Sequence, residues 1–442
     1  MNENQKPKTQ TTKTETMKVT VLGAGSIGAA VAEELFAHDA VSQVQVCDRH
    51  ARTLQQLQER VTGGPLRTFQ LDARDLGTLE PILQGSECIV SCLPPSLNPD
   101  LAEMALDLDS HFCDLGGHDA ATEEELALAG QARKKSRWIV PGCGLAPGLV
   151  NVLCLRAVEQ FDNPEAAHLR VGDVPLHPQD PFRFRISWSA EKILDDYTNP
   201  VKLIEDGRIK GADPLSREER ICFTDPFGAM EAFCTQGGLS TLTQVLQDQL
   251  DTLDHKTIRW PGHAHQMRFL LGLGFGEDRS IDVRTHLTYR DVLVRRLRQR
   301  LGGDDYEDAV LLRVLVQGQK DGQTRTLTYE MVERYDTERQ RTAMARCTAV
   351  PAAAVAVLLT RGTLTGGGAA PPGNAVPLDA YCSLLDERGL HIKERWQKGR
   401  TGIEECADLE ENAADADGTL ASEDGAPADA DAPAGAPQRA EP

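Results

Sequence analysis

The sequence predicts an α/β chain: a doubly wound parallel sheet first, then an α+β region containing an antiparallel sheet. Three observations carry that expectation. Short β-like runs alternate with amphipathic stretches from Met17 to about Pro141, the pattern of consecutive βαβ units. The first run passes straight into a glycine-rich turn, Gly23-Ala-Gly-Ser-Ile-Gly28. Beyond Pro147 and Gly148, which interrupt any regular element, two β-like runs are joined through Lys320-Asp321-Gly322-Gln323, a hairpin signal.

Residues 1–16 are rich in Lys, Thr and Gln, have nothing to bury, and are expected to be disordered. Strands are expected at 18–22, 43–47, 67–71, 88–91, 111–114 and 138–140, with helices such as 27–38 and 54–61 between them. Residues 182–189 alternate aromatic or aliphatic with polar side chains, as a half-buried strand would. The hairpin runs are 309–316 and 325–333. Residues 343–361 read as a helix kinked by Pro351, and 378–389 as another. From Gln397 the chain turns Ala/Asp/Glu/Pro/Gly-rich, and 397–442 is expected to be a disordered acidic tail.

A length of 442 residues allows two or three domains. The formal charge of −20 disfavours nucleic acid and anionic lipid as partners. Much of it is local, since 401–442 carry twelve acidic residues against one arginine. Eleven cysteines are scattered without a Cys-x-x-Cys pair or zinc-type spacing, which suits reduced thiols in a cytoplasm and gives no metal site. The polar start has no signal-peptide character. The longest apolar run, 349–359, is far shorter than the roughly 20 residues of a membrane span, so no membrane partner is expected.

The glycine turn is the strongest local signal. Gly23 permits a tight turn, Gly25 lets the backbone approach a pyrophosphate, and Gly28 lets the helix pack closely on the strand. Ala24, Ser26 and Ile27 complete a phosphate cradle of Rossmann type on a helix N-terminus. The next strand ends at Asp48, about 20 residues on, where a carboxylate accepts from a ribose diol and repels a 2′-phosphate. NAD is therefore expected rather than NADP, with Arg49 the neighbour that could welcome the phosphate instead. By strand-end topology Asp72 is a candidate for the adenine edge, or a solvated loop acid. Ser91, Leu93 and Pro94 are expected on the nicotinamide side.

Further motifs are Asp114-Leu-Gly-Gly117, Pro141-Gly-Cys-Gly-Leu-Ala-Pro-Gly-Leu-Val-Asn151, Trp188-Ser189 with Tyr197-Thr-Asn-Pro200, Thr235-Gln-Gly-Gly-Leu-Ser-Thr241, and Thr257-Ile-Arg-Trp-Pro-Gly-His263. Glu330 to Asp336 leading into Thr342-Ala-Met-Ala-Arg346 closes the series. In these the chain resembles the saccharopine dehydrogenase-like superfamily, closest to its lysine 6-dehydrogenase branch, over roughly 18–393. It departs at one position: an acid commonly precedes the Cys-Gly of the glycine-proline loop, and here Gly142 stands there. The resemblance implies a substrate and dimerisation domain, 147–342, inserted into a Rossmann domain of 17–146 plus 343–393. It also implies NAD-dependent oxidation of an amino acid's side-chain amine, lysine above all. An antiparallel sheet in the inserted domain offers an edge for dimerisation, so a homo-oligomer is expected, and the cysteine usage places it in a cytoplasm.

Such chemistry needs a proton acceptor beside the amine and polar groups that hold the rest of the substrate. Asp114, at a strand end, is a candidate base or a turn cap. His118 is a candidate proton relay or an exposed loop histidine. Cys143 is a candidate in the loop beside the nicotinamide, or a small buried thiol. Arg259 is the candidate for a bidentate grip on the substrate carboxylate, or an ordinary surface ion pair. His263 is expected as a polar wall, since with His265 it lacks a third metal ligand. Tyr197, Asn199 and Thr235 are further binding candidates through the resemblance. Two rival functions are an NADP-dependent saccharopine-type enzyme, which needs a second carboxylate clamp, and a non-catalytic NAD sensor.

Overall fold

The computed structural model describes residues 17–61, 64, 66–239, 241–303 and 306–403. The expected leader, and the expected tail beyond 403, lie outside the described residues. The strands of the first part are β1 (Lys18–Leu22), β2 (Gln43–Asp48), β3 (Leu66–Gln70), β4 (Cys88–Ser91), β5 (His111–Asp114) and β6 (Trp138–Val140). The second part contains β7 (Asn163–Pro175), β8 (Val201–Glu205), β9 (Arg208–Ala212), β10 (Glu219–Phe223), β11 (Gly228–Cys234), β12 (Thr252–Arg259), β13 (Asp308–Lys320) and β14 (Gln323–Arg334). The chain then adds β15 (Gly368–Ala369) and β16 (Lys393–Lys398).

The first sheet runs β15-β6-β5-β4-β1-β2-β3, with every neighbour parallel. Helices cover both of its faces, so β1 and β4 are almost wholly buried and read as short apolar runs. The strand order reverses between β1 and β4, which opens a crevice at their carboxyl ends. The second sheet runs β10-β11-β12-β7-β13-β14-β16, with β8 and β9 attached to β12. It is mixed rather than purely antiparallel, because β7 and β12 pair in parallel.

Helix Ala343–Thr360 returns the chain to the first sheet. It packs on helix Ser26–Phe36, on β4 and β5, and on β13 of the second sheet, so one apolar core runs through both sheets. By length and composition this helix could cross a membrane, yet 94% of it is buried inside the fold. Its first turn is fixed by Asp308, whose carboxylate accepts from Ala343 N (2.6 Å) and Met344 N (2.9 Å).

Two expectations need correction. Residues 182–189 form no strand: Phe182 and Arg183 take positive φ (71° and 47°), which breaks an extended ladder. The alternation is real, because Phe184 and Ile186 are buried in a satellite core, but the segment is tied by Ile186 N to Leu301 O (2.9 Å) instead of a neighbouring strand. Gln397 and Lys398 belong to β16, so the ordered chain continues past the expected start of the tail. Trp396 explains the continuation, since its ring packs 5.3 Å from Phe161 with Lys320 over its face. The hairpin turn is as expected, with Asp321 (φ 52°) and Gly322 (φ 70°) linking the paired Lys320 and Gln323.

Candidate active site

A cavity of about 900 Å³ lies between the carboxyl edge of the parallel sheet and one face of the second sheet. Its first wall is loop backbone: Gly25 to Gly28 after β1, Leu93 to Ser96 after β4, Leu115 to His118 after β5, and Gly144 to Pro147 after β6. Its second wall is side chains: Asp173 of β7, the alternate residues His255, Thr257 and Arg259 of β12, Thr235 after β11, and Lys192, Asp196 and Tyr197 of helix Ala190–Thr198.

The glycine turn is shaped for an anion. No side chain caps helix Ser26–Phe36 and no acid stands in its first turn, so its leading N–H groups remain free for a ligand. A Cβ on Gly25 would project into open space, whereas one on Gly28 would sit 2.1 Å from Gly23 O. Gly28 thus closes the turn, and Gly25 leaves room above it. Asp48 lies beside the turn, accepting from Ala24 N (2.7 Å) and His50 N (2.7 Å). These residues fit a dinucleotide: N–H donors at the pyrophosphate position and a carboxylate at the end of the next strand.

On the second wall Arg259 is 3% exposed, yet it borders the cavity. Its Nη1 donates to Asp173 Oδ1 (3.0 Å), and its Nε to the Tyr197 hydroxyl (3.3 Å). The guanidinium lies over the Phe184 ring, 4.5 Å from its centroid. Burial pushes His263 down to about 3, so the ring is neutral. A consistent chain follows: Arg259 Nε to Tyr197 O, Tyr197 O–H to His263 Nε2 (3.1 Å), and His263 Nδ1–H to Phe182 O (3.2 Å). Lys192 Nζ pairs with Asp196 and donates to Gln236 Oε1 (3.2 Å). Burial raises Asp196 to about 6, with Lys192 opposing the shift. Trp188 Nε1 and both ring nitrogens of His255 are buried without a partner among the described residues, on side chains that line the cavity. Burial holds His255 near 4, hence neutral.

Sequence comparison matches residues 19–140 to the family domain described as "Saccharopine dehydrogenase NADP binding domain" and residues 144–390 to "Saccharopine dehydrogenase C-terminal domain". The chain belongs to the saccharopine dehydrogenase family. Apo saccharopine dehydrogenase (L-Glu forming) from Saccharomyces cerevisiae superposes with a TM-score of 0.70 at 20% identity, covering 86% of this chain and 100% of the other. Homospermidine synthase from Legionella pneumophila, solved with NAD, gives a TM-score of 0.60 at 13% identity, covering 86% and 91%. These likenesses establish a shared fold. A curated relative, carboxyaminopropylagmatine dehydrogenase from Synechocystis sp. (strain ATCC 27184 / PCC 6803 / Kazusa), is 24% identical over 210 residues, 45% of this chain. The match spans 52%, about half, of that relative's own length.

Within this saccharopine dehydrogenase fold, the cavity gathers Gly25, Ser26, Ile27, Gly28, Leu93, Pro94, His118, Tyr197, Thr235 and Arg259 from the expected site residues. Gly23, Ala24 and Asp48 adjoin it through the turn. The others lie elsewhere. Asp114 is fully buried beneath the wall, where Oδ1 accepts from Gly116 N and Gly142 N (3.0 Å). Cys143 is buried, its Sγ donating to Val140 O (3.0 Å), and burial raises its thiol far above the ordinary range. Ser91 donates to Asn98 Oδ1 (2.7 Å) and tethers the loop rather than facing the cavity. Asp72 is chelated by Arg74 on the surface, and Arg49 is exposed with Nε toward the His50 ring (3.0 Å). Asn199 ends helix Ala190–Thr198 in solvent, and His263 stands behind Tyr197. His118 reaches the wall, but its Nδ1 accepts from Ala121 N (3.2 Å) as the cap of helix Asp119–Ala127. Arg259 offers a ligand Nη2 alone rather than a bidentate fork, because Asp173 occupies Nη1.

Lys192, Asp196, His255, Thr257 and Asp173 were not singled out as site residues. Period-two alternation back from Arg259 points to Thr257 and His255, and the i, i+4 spacing of Lys192 and Asp196 precedes Tyr197 on a helix begun by Ser189. Asp173 had no such local signal, since it meets Arg259 only through the pairing of β7 with β12.

Proposed function

We propose that the protein is an NAD-dependent dehydrogenase that oxidises the side-chain amine of an amino acid, with L-lysine the leading substrate. One observation carries this reading: a single cavity begins at the uncapped helix after the glycine turn and ends at buried Arg259, with the Lys192–Asp196 pair between them. The bound nicotinamide would supply the hydride acceptor. Residues Gly25 to Gly28 bind the pyrophosphate through N–H groups, and Asp48 accepts from the adenosine ribose and disfavours a 2′-phosphate. Arg259 Nη2 holds the substrate carboxylate while Tyr197 and Asp173 fix the guanidinium.

Asp196 is the proton acceptor. Its raised affinity for a proton matches an amine that must lose one near neutrality, and Lys192 holds its carboxylate in place. His255 and Trp188 supply the remaining hydrogen bonds to substrate or to the water that enters later. The cavity's size favours a second reading, because about 900 Å³ is near the upper end of small-molecule sites, roughly 300–1,000 Å³, and Arg298 adds a further cation at its edge beyond Arg259 and Lys192. That reading is a saccharopine-type enzyme acting on a secondary amine between two amino acids.

Steady-state assays with NAD and NADP across lysine, ornithine and saccharopine decide between them. Reduction of NAD by lysine with a pH-dependent kcat supports the first reading. Turnover of saccharopine alone, with NADP, replaces it with the second.

A further inference from the structure

Beneath the loop wall, two buried carboxyl groups face one another. Asp114 Oδ2 and Glu125 Oε2 are both buried without an N–H or O–H partner among the described residues. Asp114 ends β5, and Glu125 lies on helix Asp119–Ala127, 1% exposed and within hydrogen-bonding reach of Asp114. Two ionised carboxylates at this separation in a desolvated site would repel, and each would leave an oxygen unsatisfied. One proton removes both penalties. Glu124, on the same helix, and the thiols of Cys92, Cys113 and Cys143 also act on the pair, and none of them is cationic.

We infer that Glu125 is a permanently protonated positioning residue whose Oε2–H donates to Asp114 Oδ2, thereby fixing two of the four loops that form the coenzyme wall of the cavity. With Oδ2 held from behind, Asp114 Oδ1 is aimed at the N–H groups of Gly116 and Gly142, one from each loop. Those loops touch: a Cβ on Gly116 would lie 2.7 Å from Gly142 Cα and 2.9 Å from Pro147 Cγ. The same bond anchors the helix whose first turn His118 caps at the cavity edge. Burial first, and the Asp114 carboxylate second, push the Glu125 carboxyl strongly upward, in agreement with a retained proton. Neither group touches the cavity, so the effect on a ligand passes through loop placement. Gly142 fits this arrangement, because it takes φ 73° with its N–H committed to Asp114.

Two measurements on the full chain test the inference without coenzyme. Infrared difference spectra at pH 8 between wild type and Glu125→Gln should show a protonated carboxylic acid band in the wild type only; its absence from the wild type overturns the shared proton. Amide exchange at Gly116 and Gly142 should rise about tenfold or more in Glu125→Leu, which keeps bulk and loses the donor, and return toward wild type in Glu125→Gln. Unchanged exchange in a folded Glu125→Leu protein overturns the positioning role, and the infrared result stands even if that variant does not fold. A consequence for coenzyme rests on the proposed function: NAD should bind Glu125→Leu about tenfold more weakly and Glu125→Gln within a few-fold of wild type. Failure of the wild type to bind NAD or NADP would overturn the proposed function while leaving both coenzyme-free readouts to decide on Glu125.

Discussion

Across the cavity the two walls are made of different material. On the parallel-sheet side the surface is backbone, with Gly25 open above uncapped N–H groups and Leu115 to His118 beside it. On the other side it is ionised and aromatic side chains held by one another: Arg259 by Asp173 and Tyr197 by His263, both distant in sequence, and Asp196 by Lys192 one helical turn away, which Gln236 in turn holds. A backbone wall tolerates few substitutions but recognises any ligand with the right anion. A side-chain wall sets substrate choice and proton affinity, and losing one member leaves a buried partner exposed to its full desolvation cost.

The largest effect is expected where that second wall does chemistry. Asp196→Asn removes the proposed proton acceptor and should lower kcat by about 10²–10⁴, with coenzyme affinity unchanged. Because burial raises Asp196 to about 6, its basic form fills as pH climbs through 6. Wild-type kcat should therefore rise through that pH, falling tenfold per unit below it, and the limb should vanish in Asp196→Asn. A limb that survives the substitution would break the assignment and move the proton acceptor elsewhere on the wall. Arg259→Ala should come next, costing about 3–5 kcal/mol in chemical denaturation because the Asp173 carboxylate stays buried without its ion pair. It should also raise the substrate KM. Arg259→Ala together with Asp173→Ala should recover much of the stability and none of the substrate affinity.

Gly28→Ala tests the backbone wall. A methyl 2.1 Å from Gly23 O forces the turn apart, for about 1–3 kcal/mol of stability and a matching loss of coenzyme binding by calorimetry. Gly25→Ala, whose methyl meets nothing, should leave the melting temperature alone and weaken only the coenzyme. Equal melting temperatures for the two variants would erase the distinction drawn between these glycines.

The same contrast governs what was legible in the sequence. The turn from Lys18 to Gly28, the parallel strands and Asp48 follow from local spacing, and the structure places them at one sheet edge. Of the side-chain wall, Arg259, Tyr197, Thr235 and, behind Tyr197, His263 were expected, but Asp173, Lys192 and Asp196 were not. Asp173 reaches Arg259 only because β7 and β12 pair in parallel, and no local spacing announces a pairing between residues 86 apart. Asp114 misled for a related reason: a strand-end carboxylate is a good catalytic candidate until Gly142, 28 residues on, donates its N–H to it. Residues 182–189 carried the right burial pattern and the wrong backbone, since alternation reports which side chains are buried and leaves the hydrogen-bonding partner open.

The smallest expected effect sharpens the comparison at a charge beside the glycine turn. Asp48 accepts from Ala24 N and His50 N, so Asp48→Asn keeps one acceptor oxygen and costs on the order of 1 kcal/mol of stability. It also removes the negative charge proposed to repel a 2′-phosphate, with Arg49 next in sequence. The ratio of kcat/KM for NAD to that for NADP cancels the structural loss, since both coenzymes meet the same distorted turn. That ratio should fall about tenfold, or roughly 1.4 kcal/mol. An unchanged ratio would mean that Asp48 serves only to brace the glycine turn through Ala24, and that coenzyme choice is made elsewhere along the sheet edge.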